Sequence, residues 1–248
     1  MKRLGILIIA ALLCSCTSAQ VKEYKLKIVK EYPHSTEAYT QGLFFHDGVL
    51  YETTGQHGES TIRTVDLESG NPIILKKLNR KYFGEGSVVL DGILYILTWT
   101  NKVAFRYDPS TLTYINTVSY PREGWGLTTD GKQLIASDGS ANLYFLDKDM
   151  KLQKKVPVTM NGRPLRNLNE LEWIDGKVWA NVYLTDMIVI INPSSGKVEG
   201  AINCKGLLPD SLRTQETDVR NGIAIDASGR IFLTGKKWPR LYEIKIEK

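Results

Sequence analysis

Five stretches of this chain repeat one plan: a glycine or polar residue, a short apolar run, a turn, and a second apolar run. They read QGLFFHDGVLYETTG (41–55), EGSVVLDGILYILTW (85–99), WGLTTDGKQLIASDG (125–139), NELEWIDGKVWANVY (169–183) and NGIAIDASGRIFLTGK (221–236). Their turn aspartates, Asp47, Asp91, Asp130, Asp175 and Asp226, are spaced 44, 39, 45 and 51 residues apart. Asp-Gly between apolar runs marks a hairpin, because a type I′ turn needs positive φ at both central residues. A further strand and turn follows each of the first four: TVDLESG (64–70), FRYDPST (105–111), YFLDKDM (144–150) and VIINPSSG (189–196). The fifth counterpart, LYEIKIEK, comes at the end of the chain and lacks the next strand, whereas EYKLKIVKEY (23–32) alternates and has no partner in its own repeat. Giving that N-terminal strand to the last repeat completes both and leaves fewer unpaired edges. The expected fold is all-β: a five-bladed β-propeller whose last blade is closed by the N-terminal strand. A six- or seven-bladed propeller or a β-sandwich would need a different count, and there is no sixth Asp-Gly hairpin. Helix is expected only as a turn or two within LLPDSLRTQETD (207–218).

The opening MKRLGILIIAALLCSC is a charged start, an apolar run too short to span a bilayer, and a small residue before cysteine. It reads as a bacterial secretion signal over residues 1–15, with Cys16 as the acylated residue of a lipoprotein. Ordinary cleavage near Ala19 without a lipid is the alternative. Residues 16–22 then form a tether and 23–248 the propeller, a monomer expected in the periplasm or cell envelope and anchored to the membrane through Cys16. Removing Lys2 and Arg3 lowers the formal charge from +5 to +3. That balance, without basic residues interleaved with aromatics, argues against a nucleic-acid partner. With Cys16 lipidated, Cys204 would be the one other cysteine of the mature chain, so no internal disulfide is expected.

In a propeller, equivalent positions of each repeat gather around the axis. The residue before each first strand is Gln41, Glu85, Trp125, Asn169 or Asn221. Five places into each second strand stand Gly55, Trp99, Gly139, Tyr183 and Lys236. The two strands are antiparallel neighbours, so both columns meet at one rim. Their combination of one carboxylate, three amides, one ammonium and three aromatics suits an apolar-walled pocket with a few placed polar groups. An acid close to Trp99 and Trp125 would be partly desolvated, which raises its pKa and fits it for proton transfer near neutral pH. No G-x-S-x-G nucleophile is present, and Cys204 falls in neither column. His34, His46 and His57 lack metal-ligand spacing, so no zinc site is expected; His57 is a candidate for the pocket edge. Glu52 occupies a column otherwise held by Ile96, Ala136, Ala180 and Leu233, and is expected to be a buried structural charge, paired with Arg63 or hydrogen-bonded to neighbouring backbone, in preference to a catalytic one. Trp173 and Trp179 suit core packing, and Trp238 is expected to shield the site near Lys236.

The blocks YTQGL, FGEG, GWGLTTDG, LNELEWIDGKVWANVY and FLTGKKWPRLYEIK resemble the glutamine cyclotransferase family, the plant and bacterial type of glutaminyl cyclase, and the resemblance runs from about Tyr24 onward. It implies a five-bladed propeller that converts an N-terminal glutamine of a peptide or protein to pyroglutamate and releases ammonia, without a metal or other cofactor. On this resemblance Glu85 serves as general base and then general acid, and Lys236 holds substrate or developing charge. Gln41 and Asn169 match positions that hydrogen-bond the substrate, and Trp99 and Trp125 match pocket walls. Tyr183 stands where the plant enzymes carry tryptophan, which shrinks the wall and adds a hydroxyl.

Two other readings remain open. Glu85, Asn169, Asn221 and Gln41 could cage Ca²⁺ in a propeller lactonase, although the Lys236 ammonium would repel the ion. A lipid-anchored binding scaffold would not need the acid at all.

Overall fold

The structure is a computed structural model and describes residues 20–247. The leader and Cys16 lie outside the described residues. The described chain is all-β, with one short 3₁₀ turn at Asp210–Leu212 inside the segment where a helical turn is expected.

Four of the sequence repeats each form a four-stranded antiparallel meander. The first is Thr40–His46, Val49–Thr54, Thr61–Val65 and Pro72–Lys77; the second Gly84–Leu90, Ile93–Thr98, Val103–Tyr107 and Tyr114–Ser119. The third is Leu127–Thr129, Leu134–Ala136, Asn142–Leu146 and Leu152–Pro157; the fourth Leu168–Ile174, Lys177–Val182, Met187–Ile191 and Val198–Asn203. The last repeat supplies Arg220–Ile225, Ile231–Gly235 and Arg240–Glu247. The N-terminal strand Lys22–Pro33 pairs antiparallel with Arg240–Glu247 from Lys25 to Pro33. Its first residues, Lys22–Tyr24, also pair in parallel with Gly200–Ile202 of the fourth sheet.

Three Asp-Gly pairs have positive φ at both residues, as type I′ turns require: Asp47–Gly48, Asp91–Gly92 and Asp175–Gly176. The other two turns differ. At Asp130 and Asp226 the carboxylate accepts backbone N–H groups, from Lys132 and Gln133 and from Ser228 and Arg230, and the positive φ falls on Gly131 and Gly229. The same residue type thus closes two kinds of turn, once through its backbone and once through its side chain.

Each sheet buries both faces. Five apolar clusters lie between neighbouring sheets, and the one built on Tyr32, Leu43, Leu50 and Phe232 joins the last sheet to the first. The innermost strands, which begin the sheets, touch in succession, and Arg220–Ile225 touches Thr40–His46. They approach closely enough that glycine is needed. A Cβ on Gly86 would lie 2.5 Å from the Leu127 N and 2.7 Å from the Trp125 O, and the Gly86 N–H donates to that Trp125 carbonyl at 2.7 Å. Glu85 therefore stands between glycines because Gly86 lies against the backbone of the next sheet and Gly84 against that of the preceding one, where a Cβ would lie 2.8 Å from the Thr54 O.

Candidate active site

The innermost strands project alternate residues to the same rim. At that rim a cavity of about 200 Å³ is lined by Tyr39, Gln41, Phe83, Glu85, Trp99, Trp125, Asn169, Tyr183 and Lys236. Seven of the eight site residues expected within the described chain therefore meet in one place. Their burial sorts them by chemistry. Gln41, Glu85, Asn169 and Lys236 are all buried and form a polar floor, whereas the aromatic residues are partly or well exposed and form the wall.

The eighth, Asn221, does not line the cavity. Its Nδ2 donates to the Thr40 carbonyl and to Gln41 Oε1, both at 3.0 Å. A carbonyl only accepts, so the Thr40 contact fixes which end of Asn221 is the donor, and that in turn fixes Gln41 Oε1 as the acceptor. Gln41 is left with its Nε2 donors for the cavity. Asn169 also lines the cavity, and its Oδ1 is buried with no hydrogen-bond partner among the described residues. With Asn221 behind the floor, the four residues of the alternative Ca²⁺ cage do not all line one cavity.

Burial pushes the Glu85 carboxyl well above the usual carboxylate range; the Lys236 charge opposes this shift and the Glu123 charge adds to it. No hydrogen-bond donor among the described residues contributes to holding its charge. Burial lowers the Lys236 pKa, partly offset by Glu85 and Asp218. The Lys236 Nζ sits between two aromatic faces, 4.7 Å from the centroid of Tyr39 and 4.8 Å from that of Tyr183.

The wall closes on itself. Trp99 packs edge-on to Phe83 at 5.6 Å, Phe83 to Tyr39 at 6.1 Å, and Tyr183 to Trp125 at 5.6 Å, with Lys236 bridging the two tyrosines. The remaining gap is spanned by Glu123, whose Oε2 accepts the indole N–H of Trp99 at 3.1 Å and of Trp125 at 3.2 Å.

Tyr39, Phe83 and Glu123 are absent from the two columns read from the sequence. Each stands two residues before a column member, at Gln41, Glu85 and Trp125. Extending the period-two alternation of a strand by one step would have found all three.

Other expectations fare differently. Glu52 pairs with Arg63 at 3.1 Å and also contacts His34 and Thr40, and these partners lower its pKa to about 2 despite burial. His57 only packs edge-on to Phe83 at 5.6 Å, outside the lining. Trp238 does not shield the site. Its ring folds over Gly235, and its Nε1 donates to the Asp218 carbonyl, within the apolar cluster around Cys204.

The family model for glutamine cyclotransferase matches residues 5–246. The chain belongs to the glutamine cyclotransferase family. A glutaminyl-peptide cyclotransferase of Arabidopsis thaliana is 42% identical over 229 residues, which cover 90% of this chain and 72% of the relative. The crystal structure of Myxococcus xanthus glutaminyl cyclase superimposes with a TM-score of 0.85 at 37% identity, covering 92% of this chain and 99% of that one. As a family member, the chain shares its all-β architecture with a solved glutaminyl cyclase.

Proposed function

We propose that this chain is a glutaminyl-peptide cyclotransferase, converting the N-terminal glutamine of peptides or proteins to pyroglutamate with release of ammonia. The observation that carries the reading is the burial of one carboxylate, Glu85, in the same small cavity as the Lys236 ammonium and the amides of Gln41 and Asn169. The reaction needs little more. The substrate's α-amine attacks its own γ-carboxamide carbon; the C–N bond of the lactam forms, and the bond to the departing nitrogen breaks. The ionised Glu85 takes the proton that the attacking amine must lose, then gives it to the departing nitrogen, which leaves as ammonia. A carboxyl raised above its usual range is suited to do both near neutral pH. Gln41 Nε2 and the Lys236 ammonium are the groups available to the carboxamide oxygen as it gains negative charge. Asn169 lines the same cavity, and its side-chain amide is the further group available to hydrogen-bond the substrate. The nucleophile comes with the substrate, so one acid–base group suffices, and we expect chelators to leave turnover intact.

The test is incubation with Gln-Xaa peptides, read by mass spectrometry and ammonia release. Glu85→Gln is expected to lower kcat/KM by roughly 10²–10⁴-fold, as is typical when an acid–base group is removed. A wild-type chain that leaves such peptides unchanged in mass would refute the proposal.

The strand pairing supports a five-bladed β-propeller, with Lys22–Pro33 completing the last blade. We also place the mature chain in the bacterial cell envelope, a monomer held to the membrane by a lipid on Cys16, on the strength of the leader sequence alone. Cys16→Ala should then move the protein from the membrane to the soluble fraction; unchanged fractionation would count against the anchor.

A further inference from the structure

The polar floor of the cavity is buried, so the peptide that follows a bound glutamine must leave across the aromatic wall. Trp99, 39% exposed, is the one residue of the lining that counts among the large exposed hydrophobics, which places the exit on its side. Glu123 stands at that exit. It is exposed, and a single oxygen, Oε2, takes both indole N–H groups, which leaves Oε1 directed away from them.

Its charge is not neutralised nearby. No lysine or arginine among the described residues forms an ion pair with it. The adjacent Arg122 is turned elsewhere, with its guanidinium 4.5 Å from the Tyr144 ring centroid and 5.3 Å from that of Tyr120. The one cation of the site, Lys236, is buried in the floor.

We propose that Glu123 is a specificity-determining residue, which fixes the two indoles at the mouth and selects substrates with a cationic residue after the glutamine over those with an anionic one. The inference rests on the cyclase reading. A side chain leaving the cavity between Trp99 and Trp125 passes this carboxylate at the protein surface. A unit charge at contact distance there is worth severalfold in affinity in a water-like medium, and more where protein walls lower the dielectric. Because attraction of lysine and repulsion of glutamate act together, the ratio between the two substrates should be roughly tenfold.

The test compares kcat/KM for Gln-Lys, Gln-Ala and Gln-Glu peptides. In the wild type the order should be Lys above Ala above Glu, and the spread should shrink at about 1 M salt, where screening acts within a few ångströms. Glu123→Gln keeps an acceptor for both indoles and removes the charge, so the Lys-to-Glu ratio should fall close to one. Glu123→Lys should invert it. Glu123→Ala also frees the indoles and should raise KM for all three peptides. A ratio that is the same in Glu123→Gln as in the wild type, or that ignores salt, overturns the assignment. A wild type that cyclises none of the peptides removes the cyclase reading, and this inference with it.

Discussion

The polarity of a single amide decides what Gln41 can do. Its oxygen is taken by Asn221, whose own orientation is dictated by a backbone carbonyl, so the cavity receives a donor. A donor suits an oxygen that becomes more negative during attack, whereas an acceptor there would oppose it. Asn221 is therefore a positioning residue. Asn221→Ala should leave Gln41 free to rotate and lower kcat roughly tenfold or more, in line with the cost of losing an oriented donor. It also strips the buried Thr40 carbonyl of one donor, at a cost of about 1–3 kcal/mol. Steady-state kinetics with a thermal melt separate the two effects: a variant that is less stable but kinetically unaltered would deny the orienting role.

At the scale of strands, four of the five repeats place glycine directly after the ring residue: Gly42, Gly86, Gly126 and Gly222. The fourth repeat has Glu170 instead. Its carboxylate accepts from the Leu43 and Ile223 backbone N–H groups and from Asn181 Nδ2, so it links three of the sheets through a position where the others have no side chain. At Gly42, Gly86 and Gly126 there is no space for a Cβ, and Gly222 holds a φ of 114° that side chains rarely adopt. A Cβ on Gly126 would overlap the Asn169 carbonyl and lie 2.8 Å from Leu171 Cγ. Gly126→Ala must push the third and fourth innermost strands apart, at about 1–3 kcal/mol for overpacking, and Asn169 moves with its strand. We expect a lower urea midpoint together with reduced kcat/KM; an unchanged midpoint would show that the strands tolerate the methyl group. The alternation that locates the ring residues is local and therefore legible in the sequence. The course of the loop after Gly235 is not: Lys237 adopts φ of 58°, and this turn carries Trp238 away from the site that its proximity to Lys236 suggested.

Across the whole molecule, buried acids set opposite dependences on pH. Burial raises the Glu172 carboxyl to about 8, and burial with the neighbouring Glu172 charge raises Glu170 as well. A carboxyl raised in the folded state favours folding while it is protonated. That contribution is complete below the ordinary value near 4.5 and is lost as pH climbs through about 8. Glu52, held down at about 2 by Arg63 and His34, works the other way: its contribution is present above the ordinary range and disappears as pH falls toward 2. Stability should therefore be greatest near the ordinary carboxylate value of 4.5 and decline on both its acid and its alkaline side. Glu172→Gln should flatten the alkaline decline while leaving the acid decline, as read by thermal melts between about pH 2 and 9. An alkaline decline of the same size in that variant would rule out Glu172 as its source.

The sequence by itself determined the all-β class, the order of the repeats, and most of the residues that face one another across the cavity. These follow from the alternation of side chains along a strand and from turn chemistry, both set within a few residues. Only the tertiary structure decided that Asn221 stands behind Gln41, that Gln41 therefore turns its donor to the cavity, and that Glu123 joins the two tryptophans into a closed wall. Each of these depends on a hydrogen bond whose partner is set by how separate stretches of chain pack together, and a repeat pattern specifies the position of a side chain without specifying its partner.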